Sequence, residues 1–161
     1  MTTTDRIEAW LRSHRPGYLA TLRPGVPTTD IEAFERSLGL ALPEGARELY
    51  SWRDGQRDGA YESLVYNWMF PPLASVARQK RTLDDMIGYD FEDPAWWRRG
   101  WVPVFDNGGG DALCVDLTPE GRGRVLTFYH DAPERPVVAA SLSGWLQALA
   151  DAMESGAYGV Y

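Results

Sequence analysis

The chain has one cysteine, Cys114, and two histidines among its 161 residues. A single cysteine excludes an intramolecular disulfide framework and any cysteine-based metal cluster. His14 and His130 are too few for a typical zinc site unless carboxylates complete it, and the acids at 84–93 lack the Asp-x-Asp-x-Asp-Gly spacing of a calcium loop. No stretch approaches the roughly 18 apolar residues that a bilayer crossing needs. The start, Met-Thr-Thr-Thr-Asp-Arg-Ile-Glu, lacks the basic-then-apolar order of a secretory signal. The expectation is a protein of the reducing cytoplasm, with no metal, no cofactor and no membrane partner. Positive charge is also scarce: the basic residues are almost all arginine, and the formal net charge is −7. That sign repels nucleic acid and anionic lipid, so no nucleic-acid partner is expected.

What is present is an ordinary globular balance, 44% apolar and 24% charged, in a length that suits one domain. Eight Tyr, seven Trp and five Phe exceed what one core of this size needs, so some aromatic rings are expected at a surface. The negative charge is uneven. Between Asp84 and Asp116 stand eight acids, Asp84, Asp85, Asp90, Glu92, Asp93, Asp106, Asp111 and Asp116, against only Arg98 and Arg99. This segment carries nearly the whole imbalance and would steer a basic protein toward itself.

Periodicity predicts helices first. Thr4 caps a helix carrying Ile7, Trp10 and Leu11 on one face. Prolines and glycines make 16–27 a loop. Thr29 and Glu32 form a capping box for a helix that buries Ile31, Phe34 and Leu38 and stops at Gly39. Leu42-Pro43 opens another, with Ala46, Leu49 and Tyr50 inward and Asp54-Gly55 at its end. Residues 60–66 read as a short edge strand, and Pro71-Pro72 precedes a helix with Leu73, Val76, Leu83 and Ile87. A single turn is expected at Trp96-Trp97.

Strands follow at 101–106, 112–117, 124–130 and 137–139, with Pro103 marking an edge. The last helix runs from a Ser141 cap to Gly156, with Leu142, Trp145, Leu146, Leu149 and Met153 as its core stripe. The predicted fold class is α+β: a mostly antiparallel meander over 101–139, packed with N-terminal helices and a C-terminal amphipathic helix.

The constellations that suggest chemistry have plainer explanations. Asn107-Gly108-Gly109-Gly110-Asp111 resembles a phosphate loop, but it leads into a strand and no Lys-Ser/Thr follows, so it reads as a hairpin turn. Cys114, His130 and Asp116 can be drawn as nucleophile, base and orienting acid. Yet Cys114 sits mid-strand between Leu113 and Val115, where a buried, inert thiol is expected. Paired acids such as Asp106 with Asp111 flank the turn and bond its amides. No catalytic residue is assigned. The candidate partner-binding residues are Trp52, Trp68, Asp84, Asp85, Asp90, Glu92, Asp93 and Trp97, since aromatics anchor interfaces and acids set partner choice.

The order Leu38-Gly39, Leu42-Pro43, Tyr50, Asp54-Gly55, then Trp101-Val-Pro-Val, Asn-Gly-Gly-Gly-Asp, Cys-Val-Asp116-Leu, Gly123-Arg-Val, His130-Asp131 and Ala140-Ser141-Leu with Trp145-Leu146, resembles the SUKH superfamily. The chain departs from that pattern at Trp52-Arg-Asp54, where Asn-Gly is more usual, and over 56–100. The resemblance implies one domain: an N-terminal helix and loop over 1–27, a family core over 28–156 and a tail over 157–161. It also implies a non-enzymatic α+β protein that binds another protein. The superfamily includes bacterial immunity proteins that neutralise nuclease- or deaminase-type toxins, and fungal cell-wall assembly regulators. The expected function is therefore immunity against a basic toxin domain. A regulatory or scaffold role is the alternative, and a small hydrolase a remote one. Partner specificity is expected to vary in 56–100.

Overall fold

The structure, a computed structural model, describes residues 1–160; Tyr161, in the expected tail, lies outside the described residues. Helix α1 (Thr3–His14) is followed by the short α2 (Pro16–Leu19), β1 (Leu22–Pro24), α3 (Thr28–Leu38), α4 (Glu44–Trp52) and β2 (Arg53–Gln56). Then come α5 (Leu73–Asp85), the strands β3 (Trp101–Asp106), β4 (Ala112–Asp116), β5 (Arg124–Phe128) and β6 (Val137–Ala139), and α6 (Leu142–Ser155). The four late strands form one antiparallel sheet in the order β3-β4-β5-β6, and β1 pairs antiparallel with β2 in a separate ribbon. This is the α+β meander that the sequence predicts, with Pro103 on an edge strand.

Local chemistry sets most boundaries. Ser141 accepts from Gly144 N–H at 3.0 Å to start α6, and Gly156 ends it in the left-handed region at φ 83°. Gly39 closes α3 in the same way at φ 67°. Two expected starts and one expected end move. Thr2, not Thr4, caps α1 and forms a capping box with Asp5; Thr4 is buried and bonds Glu48. Pro27 takes the N-cap of α3, so the Thr29–Glu32 box does not form. Helix α4 ends at Trp52, before Asp54-Gly55, because Arg53 turns extended and enters β2. The expected loop over 16–27 holds α2 and β1, and the expected strand over 60–66 is irregular.

The central sheet is buried on both faces. Val102, Val104, Phe105, Leu113, Val115 and Val125 belong to the main core with α1, α3, α4 and α6. The alternate residues Trp101, Ala112, Cys114, Leu126 and Phe128 form a second core, covered by Trp97 with Leu83, Ile87, Phe91 and Trp96. A strand's side chains alternate between faces, so one sheet can feed two cores. A register shift between Pro103 and Phe105 lets Val104 and Phe105 both reach the main one. The acidic excursion that leaves α5 and returns at β3 is therefore a cover over the sheet, with Phe91, Trp96 and Trp97 inward and Tyr89 exposed.

Candidate functional site: an acidic groove over a second core

Three local devices shape the cover. Helix α5 is capped by Met86, and Gly88 adopts φ 82°, so the chain reverses with Gly88 N–H on Phe91 O at 3.0 Å and Phe91 N–H on Met86 O at 2.9 Å. Asp93 then accepts from Ala95 N–H at 2.8 Å and starts the turn that carries Trp96 and Trp97. Last, Lys80 fastens the far end: it is 2% exposed, donates to Asp84 at 3.2 Å and also to Arg99 O. Burial lowers the Lys80 pKa, opposed by the Asp84 carboxylate.

From the opposite side Arg135 braces the same cover. Its guanidinium lies 4.6 Å from the Phe128 ring centroid and 5.0 Å from that of Trp96. It donates to Trp96 O at 2.9 Å and to Ala132 O at 2.6 Å. Its hydrogen bonds go to carbonyls and its face to rings, while Asp93 and Asp111 lie within range of its charge.

The result is a groove of about 420 Å³ over Phe91 and Trp96, bordered by Met86, Asp90, Glu92, Asp93 and His130. Asp90, Glu92 and Asp93 are exposed. His130 is held by Asp111, which accepts from its backbone N–H at 3.0 Å and from its ring Nδ1 at 2.7 Å. The ring lies so close to Gly110 that a Cβ there would meet it at 3.0 Å. The Asp111 bond raises the His130 pKa. Burial opposes ionisation of Asp111, but the bonds from His130 and Asn107 outweigh it and its pKa is lowered. Asp111, His130 and Asp131 each bring a possible metal-donor atom within 4.8 Å of the others. The Asp111–His130 bonds account for that grouping as a clamp at the mouth of the β3–β4 hairpin.

The eight candidate residues do not form one face. Asp90, Glu92 and Asp93 meet at the groove. Asp85 is exposed but lies beside a different, polar pocket with Arg81 and Arg99. Asp84 is paired with Lys80 and accepts the Trp97 ring N–H at 2.9 Å. Trp97 itself is 1% exposed, set edge-on against Trp101 and Phe128 at 5.5 and 5.2 Å. It supports the groove from beneath and presents no surface to a partner. Trp52 donates to Glu8 at 2.9 Å and lies over Phe70, and Trp68 packs on the main core; neither borders the groove.

The expected charge asymmetry shrinks for the same reason: Asp84, Asp111 and Asp116 are paired internally with Lys80, His130 and Arg124. Met86, Phe91, Trp96 and His130 line the groove and are missing from the candidate list, as is Arg135, which braces Trp96. Phe91 and Trp96 carried a signal, aromatic residues inside and just after the acidic run.

The drawn catalytic trio does not assemble. Cys114 is fully buried, which pushes its thiol pKa up. His130 is bonded to Asp111, and Asp116 to Thr118 and Arg124. In the folded protein Cys114 is expected to resist an aromatic disulfide reagent at neutral pH and to react fully in denaturant. Rapid labelling without denaturant would refute the buried, protonated thiol.

The turn 107–111 is not a phosphate cradle. Asn107 Oδ1 accepts from Gly109 and Asp111 N–H at 2.9 and 3.1 Å, and Asp106 Oδ1 from Gly108 N–H at 3.0 Å, so its amides are satisfied by its own side chains. Among the described residues no helix is long and apolar enough to cross a membrane.

Residues 25–148 match the SMI1 / KNR4 family (SUKH-1). Similar proteins include "KNR4/SMI1 homolog 2" of Debaryomyces hansenii, 24% identical over 94% of this chain and 35% of the relative. The "Glucan synthesis regulatory protein" of Neurospora crassa is 23% identical over 94% of this chain and 38% of its own length. The "Cell wall assembly regulator SMI1" of Saccharomyces cerevisiae is 20% identical over 93% and 39%. The chain thus spans under two fifths of the length of these curated relatives. The family match covers well over half of the sequence and both halves of the fold, from the start of α3 to α6: the chain belongs to the SMI1/KNR4 family (SUKH-1).

Proposed function

We propose that this chain is a non-catalytic, protein-binding domain with a regulatory role, and that the groove over Phe91 and Trp96 receives a basic segment of its partner. The observation that carries this reading is the trio Asp90, Glu92 and Asp93, exposed around an aromatic floor that Trp97, Lys80 and Arg135 hold rigid. Charge of this kind sets association rate and partner choice, and the rings supply apolar contact. The regulatory part is supported by the printed names of the relatives, a cell wall assembly regulator and a glucan synthesis regulatory protein. The same reading puts the protein in the cytoplasm.

The test is affinity purification of the partner from the native host, followed by titration against the Asp90→Asn, Glu92→Gln, Asp93→Asn triple variant. Three rim charges at roughly 0.5 kcal/mol each correspond to about a tenfold weaker Kd at low salt and a flatter salt dependence. Unchanged affinity and salt dependence would sink the groove as the contact.

A second reading, immunity against a basic toxin domain, is favoured by the same exposed carboxylates and the net charge of −7. An acidic groove can occupy a cleft built for phosphate. Co-expression with a toxin encoded beside the gene separates the two readings. Protection that disappears in the triple variant supports immunity, and absence of protection leaves the regulatory role.

A further inference from the structure

The hairpin turn 107–111 leans on two different pockets. Gly110 abuts His130 at the acidic groove, and a Cβ on Gly108 would meet Met69 Cε at 3.0 Å. Met69 belongs to a separate pocket of about 380 Å³, walled by Phe70, Pro71, Pro72 and Tyr61, with Asp106 among its lining residues.

Asp106 is the unusual member. Its backbone is fixed by reciprocal bonds to Met69, at 2.7 and 3.2 Å. One carboxylate oxygen accepts from Gly108 N–H at 3.0 Å, and among the described residues no cation pairs with it. Burial raises its pKa against that hydrogen bond. A partly buried carboxylate without a counter-charge is costly, and a cation entering the pocket would relieve that cost. Arg57 and Asp58, both exposed, also line the pocket and bring one charge of each sign.

The walls are preformed. Gln56 accepts from Tyr18 OH at 2.8 Å and Phe70 N–H at 2.9 Å, and donates to Ala60 O at 3.0 Å. Gly55 has φ 67°, and a Cβ there would lie 2.3 Å from the Pro71 backbone, so glycine is required on both counts. Tyr61, 81% exposed, stands at the side as an accessible ring. Apolar walls converging on one charged group fit a long side chain with a cationic tip.

We infer that the Asp106 pocket accepts one ammonium or guanidinium side chain of a protein partner, as a second anchor on the far side of the glycine turn from the acidic groove. The inference rests on the reading that the partner is a basic protein.

The probe is Nα-acetyl-lysine N-methylamide, with the norleucine analogue as the uncharged control, titrated into ¹⁵N-labelled protein. The Gly108 amide reports directly, because it bonds the carboxylate in question. A saturable Gly108 shift is expected with the lysine derivative, with a Kd on the order of millimolar. None is expected with norleucine. Asp106→Asn keeps an oxygen for Gly108 and is expected to weaken the binding about tenfold, the equivalent of 1.4 kcal/mol. The Asp90/Glu92/Asp93 triple variant is expected to keep the response. No Gly108 shift, an equal shift with norleucine, or loss of the response in the triple variant would each overturn the pocket. A Gly108 response with unweakened partner binding in the triple variant rejects the groove and leaves the pocket; the opposite pattern rejects only the pocket.

Discussion

Trp97→Ala is expected to lower the unfolding free energy by about 4 kcal/mol, the usual loss for deleting a fully buried indole. For a chain of this length that is about a 10 °C fall in Tm, out of a total stability on the order of 5–15 kcal/mol. Two effects add. The ring is 1% exposed and fills the space between the sheet and its acidic cover, edge-on to Trp101 and Phe128. Its N–H also holds Asp84, which in turn holds Lys80. Truncation opens a cavity under the groove and leaves Lys80 a weaker clasp. Trp97→Phe keeps much of the volume and is expected to lose roughly half as much. Chemical denaturation checks both variants. A loss for Trp97→Ala below about 1 kcal/mol, the size of an ordinary surface change, would show that the ring is no structural plug.

Asp116→Ala is expected to cost about 3 kcal/mol. The Asp116 carboxylate is 1% exposed and organises the β4–β5 connection. It accepts from Thr118 N–H and from Arg124 Nε, both at 3.0 Å, and from the Thr118 hydroxyl. Hydrogen bonds to a charged group contribute about 1.5–3 kcal/mol each and are not additive, which sets the estimate. The chain wraps so closely that a Cβ on Gly121 would lie 2.0 Å from the Asp116 carboxyl carbon. Gly121→Ala is therefore expected to cost a similar amount, with Asp116→Ala partly relieving it in the double variant. Thermal unfolding of the two singles and the double gives the coupling. Strict additivity would mean that the carboxylate and the glycine do not share the turn.

The sheet and the last helix were legible because their signals are local. Asn107-Gly108 reads as a hairpin from two residues, Ser141 and Gly156 bracket a stripe with helical spacing, and Pro103 marks an edge. Ribbon β1–β2 was not legible, since each strand is four residues or fewer and finds its partner some thirty positions away. The Thr29–Glu32 box failed against Pro27, which occupies the cap position two residues earlier. Of the candidate groove's lining, the exposed acids Asp90, Glu92 and Asp93 stand out in the sequence by sign and spacing alone. Trp97 was misplaced because the segment after α5 has no periodicity to tell inward from outward. The pairing of Asp84 with Lys80 was readable as an i,i+4 pair on α5. Asp116 with Arg124, across a hairpin, needed the strand register.

The cover over the second core divides its labour residue by residue. Ile87, Phe91 and Trp97 answer to the sheet beneath, while Asp90 and Glu92, between or beside them, face solvent, and Asp93 is exposed but also holds the turn through Ala95 N–H. A substitution at Asp90 or Glu92 is expected to change the surface charge without disturbing the hydrophobic seal. The charge presented above the second core is thus adjustable by single steps that leave the scaffold intact.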